Sequence, residues 1–303
     1  MTDILLNKNL EPFRELIENL NFKEIAITKP RHLNVETLGG EWIHLEDNRF
    51  TLEYLHGLSR LLAIKEGKRF NEENPILSAT IDNKHRVNVI YGKQTNHDIA
   101  FTIRLKRNSS YSINNFSIPQ EEKSRLIELV TQRKNILISG GTGTGKTTLL
   151  NSLVKFIPSA ERIITIENVQ EIEIDPTLHR NHDALIYLED NSERIANLLN
   201  ASLRMRPDRI IIGELRSENS YLFLRAANTG HEGTLSTIHS NTPQGAIDAL
   251  IHNIKSVSKI AHDEIKLREE IERNIDAVIQ LKREYIDQKM VVTGYLKEFS
   301  KIC

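Results

Sequence analysis

The residues best suited to chemistry stand together at Gly140-Gly141-Thr142-Gly143-Thr144-Gly145-Lys146-Thr147-Thr148, which satisfies the spacing G-x-x-x-x-G-K-[ST]. Glycines let such a turn fold with its N–H groups pointing inward, a nest for a phosphate at a helix N-terminus. Lys146 is then placed to reach the β and γ oxygens, and the Thr147 hydroxyl to join the shell of Mg2+. This stretch implies a nucleotide-binding protein whose expected ligands are ATP and Mg2+.

Three further stretches supply groups for a reaction. Arg209-Ile-Ile-Ile-Gly213-Glu214 reads as an apolar strand ending in a carboxylate, expected beside the strand that feeds the phosphate loop, so that Glu214 faces Mg2+ and the attacking water. Gly213 stands where the metal-side Asp of the usual Asp-Glu pair would be. Glu214 therefore serves as general base, as metal-side carboxylate partly through water, or as both; a surface pair with Arg216 is the alternative. In Asn228–Asn241, glycines flank His231, and a strand carries Thr237 and His239 to its C-terminal edge, where ligands sit in an α/β sheet. His239 is suited to sense the γ-phosphate through a hydrogen bond that hydrolysis removes. No third or fourth ligand at metal spacing accompanies the histidines, which argues against zinc. Thr165-Ile166-Glu167-Asn168 ends another strand, with Glu167 either orienting water or Mg2+ or simply solvated.

Positioning these groups requires alternating strands and helices. Strands are expected at 135–139, 162–167, 209–214 and 234–239, and helices at 120–132, 146–156, 192–204, 217–228, 243–253 and 262–273. Thr242 reads as an N-cap with Pro243 at the first helical position. Ala277–Lys282 and Val291–Lys297, around Asp287-Gln288, suggest a closing hairpin. The fold class is thus α/β with a parallel sheet over residues 120–303.

Ahead of it the pattern differs. Phe13, Leu16, Ile17 and Leu20 fall at helical spacing, as do Leu55, Leu58, Leu61 and Leu62 within 52–64. Ile25 and Ile27, Val87 and Val89, and Ile99, Phe101, Ile103 and Leu105 alternate as strands do. Residues 1–107 therefore read as a smaller α+β domain, and the polar, turn-rich 108–119 as a linker.

The balance of the chain narrows its class. Lys and Arg number 40 against 41 Asp and Glu, so no net field favours nucleic acid or anionic lipid, and direct nucleic-acid binding is not expected. The one cysteine, Cys303, rules out an internal disulfide framework and a cysteine-rich zinc site. The first residues predict no secretory signal, and no run approaches the ~18 apolar residues of a membrane span. A cytoplasmic protein that meets a membrane only through partners is expected. A nucleic-acid motor and a nucleotide-sensing scaffold that does not hydrolyse remain as other classes.

Gly140–Thr148, Thr165–Asn168, Leu203–Arg216 and Thr229–Asn241 together resemble, in order and spacing, the four boxes of the secretion (traffic) ATPase superfamily, over roughly residues 120–253. Two departures are visible: Asn168 replaces the Asp that usually follows the Glu, and Ser217 replaces Gly. Type II secretion motors carry a four-cysteine zinc module that this chain lacks, and pilus-extension motors have longer N-terminal regions. The short N-terminal part, with Arg86-Val-Asn-Val and Thr102-Ile-Arg104-Leu-Lys-Arg107, looks most like the VirB-type ATPases of type IV secretion and conjugation; pilus-retraction motors are the rival. The resemblance implies a RecA-like motor domain and a homo-hexameric ring that clamps nucleotide between its N- and C-terminal domains. Arg86 and Arg104 would reach the phosphates. It further implies partners among the inner-membrane components of a translocon, at the cytoplasmic face of the bacterial inner membrane.

Overall fold

Alternation with a period of two builds the first half of the chain into a sheet. The computed structural model describes residues 2–82, 84–106, 112–187, 192–228, 230–257, 263–286 and 289–299. The chain divides into two units, Met1–Ser109 and Ser110–Cys303. The first holds helices α1 (Thr2–Asn9), α2 (Glu11–Glu18) and α3 (Leu52–Lys65) and strands β1 (Phe22–Lys29), β2 (His32–Thr37), β3 (Trp42–Glu46), β4 (Ile76–Ile81), β5 (His85–Tyr91) and β6 (Ile99–Arg104). The strands form an antiparallel sheet in the order β3-β2-β1-β6-β5-β4. Ile25, Ile27, Val87, Val89, Phe101 and Ile103 join Phe13, Leu55, Leu58 and Leu62 in one buried core. Full burial of each such side chain stabilises by about 1.5–3 kcal/mol. The Thr51 hydroxyl caps α3 by accepting the Tyr54 N–H at 3.1 Å. The helical pattern read through Leu20 stops earlier, at Glu18, and leaves Leu20 exposed at 74%.

The second unit holds α4 (Gln120–Thr131), β7 (Ile136–Gly140), α5 (Lys146–Val154), β8 (Ile163–Glu167), β9 (His182–Ile186), α6 (Ser192–Leu203), β10 (Arg209–Ile212) and α7 (Ser220–Asn228). After them come β11 (Leu235–Ile238), α8 (Pro243–Val257), α9 (Glu264–Asn274), β12 (Ala277–Ile286) and β13 (Lys289–Glu298). The sheet runs β13-β12-β7-β11-β10-β8-β9, parallel throughout except for the β12–β13 hairpin. Residues 287–288, the expected hairpin turn, lie outside the described residues, as do Thr229 and Cys303.

Both faces of this sheet are covered, which is why its inner strands read as unbroken apolar runs. On one side Leu137, Ile164, Ile166, Ile210 and Ile212 join Ile195 and Leu199 of α6, Phe223 of α7 and Leu250 of α8. On the other, Ile136, Ile138, Ile163 and Ile211 join Leu126 and Leu129 of α4 and Leu149 and Leu153 of α5. Strand β10 does not lie beside β7, as expected, because β11 stands between them and pairs with both. Residues 112–119, read as linker, belong to the second core: Ile113, Phe116 and Ile118 are buried there, and the Ser117 N–H donates to Val292 O at 2.9 Å. Serines and asparagines between these apolar residues masked their spacing.

Candidate active site

The C-terminal ends of β7, β11 and β10 bring the expected chemistry together. Beyond β7 the chain turns with Gly143 and Gly145 at φ +73° and +84°, a left-handed backbone that glycine adopts without strain. Gly145 caps α5, whose first turn begins at Lys146 and Thr147. The Thr144 hydroxyl donates to Gly141 O at 2.9 Å and ties the loop across its middle. Lys146 is buried, its ammonium donating to Gly140 O at 2.8 Å and Gly141 O at 2.9 Å.

The third group near Lys146 is His239, which follows β11. Lys146 Nζ lies 3.3 Å from His239 Nδ1, and His239 Nε2 lies 2.8 Å from Glu214 Oε1. An ammonium can only donate, so Nδ1 faces it as an acceptor and Nε2–H is turned to the carboxylate. Arg216 Nε donates to the other oxygen, Glu214 Oε2, at 2.8 Å. His239's hydrogen bond, helped by Arg216 and opposed by burial, holds the Glu214 carboxyl at about 2, well below its ordinary range. The pair with Arg216 and the approach to the phosphate loop thus coexist in one array. Asn219, fully buried, fixes the backbone around it by donating to Glu214 O at 2.9 Å and accepting the Arg216 N–H at 2.9 Å.

Glu167, at the end of β8, folds the turn that follows it. Its Oε1 accepts the N–H groups of Glu171 and Ile172 at 2.9 and 3.0 Å, and the side chain is 4% exposed. A Cβ on Gly213 would stand 3.0 Å from Glu167 Cγ and 3.2 Å from Oε1, a tight approach that a side chain there could take only if Glu167 gave way by a few tenths of an ångström. The loop that Glu167 folds delivers a different carboxylate. Glu171 Oε2 accepts the Thr147 hydroxyl at 3.2 Å. Sequence reasoning missed Glu171, although its position four residues after Glu167 on the same turn was a usable signal. Thr147 and Glu171 form an oxygen donor pair suited to a hard divalent cation that keeps most of its shell for phosphate and water. Among the described residues, no group of three or more His, Cys, Asp or Glu side chains could hold a metal by itself.

Other expected residues fall elsewhere. His231 precedes β11 and His239 follows it, so the two histidines lie at opposite ends of that strand. Gly233, two residues after His231, has a packing reason: a Cβ there would clash with Arg209 Nη1. That guanidinium is fully buried on Glu161 and on Val130 O. Arg86 and Arg104 sit opposite one another across β5 and β6 in the first unit, on the face away from the core, and Arg104 Nε is 3.5 Å from Glu24. Thr242, as expected, caps α8, its hydroxyl accepting the Gly245 N–H at 3.0 Å.

Comparison with known proteins gives this arrangement a family. The type II/IV secretion system protein family matches residues 79–290. The type IV secretion system protein VirB11 of Bartonella henselae is 31% identical, over 96% of this chain and 92% of its own length. The crystal structure of the pilus retraction motor PilT with bound ADP is similar at a TM-score of 0.68 and 26% identity, covering 96% of this chain and 83% of that one. The VirB11 ATPase structure from the Brucella suis type IV secretion system shares the fold at a TM-score of 0.50 and 23% identity, covering 97% and 94%. With a nucleotide loop, a carboxylate and a histidine meeting at one sheet edge and relatives matched along nearly their whole length, the chain belongs to the type II/IV secretion system protein family, as a VirB-type secretion ATPase.

Proposed function

We propose that this ATPase drives substrate translocation or pilus biogenesis in a type IV secretion or conjugative transfer apparatus, as a homo-hexamer docked on inner-membrane components at the cytoplasmic face. The observation that carries the catalytic reading is the continuous array Lys146–His239–Glu214, with contacts of 3.3 and 2.8 Å. Loop amides, Lys146 and the Thr148 side of the helix N-terminus bind the ATP phosphates. Thr147 and Glu171 would hold Mg2+, with Glu214 reaching it through water, and the bound ion would supply charge neutralisation to the phosphates. Glu214, drawn to about 2, stays anionic and accepts hydrogen bonds from the attacking water, orienting it toward the γ-phosphorus. A base this weak takes the proton only late, which suits a loose phosphoryl-transfer transition state. His239 joins that carboxylate to the lysine that touches the γ-phosphate, so loss of the phosphate alters both. Glu167 shapes the loop that carries Glu171. Arg86 and Arg104 are proposed as further phosphate-binding residues, as the family resemblance implies.

Membrane association is peripheral in this reading. Among the described residues no helix is long and apolar enough to cross a bilayer. The balanced charge, 40 basic against 41 acidic residues, favours a partner protein over nucleic acid as the docking surface. The likeness to PilT supports a second reading, a pilus-retraction motor. Chromosomal Lys146→Ala in the native host separates the two. Lost DNA or effector transfer with normal twitching is expected; lost twitching with normal transfer would overturn the secretion reading.

A further inference from the structure

Strand β12 runs parallel to β7 with Gln280 opposite Ser139 and Leu281 opposite Gly140. The residues after Leu281 therefore accompany the chain as it turns into the phosphate loop. Arg283 is the second of them, and its guanidinium lies against Gly143: Nη1 is 3.3 Å and Cζ 4.0 Å from where a Cβ on that glycine would stand. The neighbours Lys282 and Glu284 point to the other face of the strand, as strand geometry requires, and both are exposed, whereas Arg283 is half-buried. Gly143 is the fourth residue of the G-x-x-x-x-G-K-T loop, within the run of amides that cradles the nucleotide's phosphates.

We propose that Arg283 is a further nucleotide-binding residue, a guanidinium supplied by β12 to the diphosphate of the nucleotide held in Gly140–Thr148. The inference rests on the reading of that loop as the phosphate site. Lys146 approaches from inside the loop, donating to Gly140 O and Gly141 O, while Arg283 approaches from the hairpin across Gly143. Several negative charges on a di- or triphosphate need more than one cation, and a planar guanidinium matches phosphate oxygens in bidentate fashion. A regular strand in register with β7 holds it, so little conformational freedom is lost on binding.

The test uses the full chain and competition against a fluorescent ADP analogue, with ADP and AMP as probes. Arg283→Met keeps a long unbranched side chain on β12 and removes the charge. Loss of one charge-assisted hydrogen bond predicts an ADP affinity about tenfold weaker and an AMP affinity within about twofold of wild type. Arg283→Lys should recover most of the ADP affinity. An Arg283→Met protein that binds ADP as tightly as wild type, or that loses ADP and AMP equally, overturns the proposal. Arg283→Gln gives the same comparison should the methionine variant be unstable. Lys146→Ala run alongside keeps the two readings apart. Normal ADP binding in Lys146→Ala refutes the loop assignment, whereas its loss beside an unchanged Arg283→Met refutes the role of Arg283 alone.

Discussion

Glu214→Gln tests the array with side-chain size kept: glutamine removes the charge and leaves one acceptor oxygen, so one of the two donors, His239 Nε2 or Arg216 Nε, meets an amide NH2. The wild-type carboxyl is drawn from 4.5 to about 2, chiefly by the hydrogen bond from His239. Such a fall corresponds to at most about 3.4 kcal/mol of stability at neutral pH. Its partners are partly solvated, His239 at 50% and Arg216 at 37% exposure, so screening reduces the contribution to about 1–2 kcal/mol. A depressed carboxyl stabilises fully above its unfolded value near 4.5 and loses that contribution as pH falls toward about 2. Glutamine has no such contribution at any pH. Thermal unfolding at pH 7 should therefore place the variant several degrees below wild type, at about 2–4 °C per kcal/mol. The gap should shrink by about a quarter at pH 4 and by about half at pH 3, closing only near pH 2. Phosphate release at pH 7 should fall by at least about 100-fold while ATP still binds. Equal midpoints at pH 7, or a gap undiminished at pH 3, would show that charge at this position does not hold the array together.

Two other changes probe the neighbours. His239→Ala removes the main group that depresses Glu214, so an acidic limb should appear near pH 4–5 in the turnover profile, with turnover reduced more than ATP affinity; unchanged turnover would make His239 structural. Glu171→Gln should raise the Mg2+ concentration for half-maximal activity by about tenfold, from the loss of one charged oxygen donor. Glu167→Ala should instead cost about 1–3 kcal/mol of stability by stranding two backbone N–H groups. The reverse pattern would return the metal-side role to Glu167.

The phosphate loop was legible because its glycines answer local demands: φ values of +73° and +84° at Gly143 and Gly145 are written into residue type. Buried parallel strands were legible as apolar runs, and Thr242 as a cap, for the same local reasons. Strand order was not, since nothing within Arg209–Glu214 records that β11 intervenes before β7. Glu171 and Arg283 escaped because their places depend on tertiary contacts, the first on a loop folded over Glu167, the second on the register of β12. Strand β9 escaped because an edge strand of mixed exposure has neither a clean alternation nor a continuous apolar run. His231 and His239 looked like a pair in sequence, but a strand of four residues separates their surroundings.

The contact between Gly213 and Glu167 also constrains how such a site can change over generations. An acidic residue at position 213 would require Glu167 to give way by a few tenths of an ångström, because a Cβ there would stand 3.0 Å from its Cγ. Glu167 in turn cannot shrink without releasing the amides of Glu171 and Ile172, and with them the carboxylate beside Thr147. Substitutions at 213 and 167 act on one contact, so their effects on stability should be non-additive. A second carboxylate at 213 is thus coupled to the support of the loop that carries Glu171.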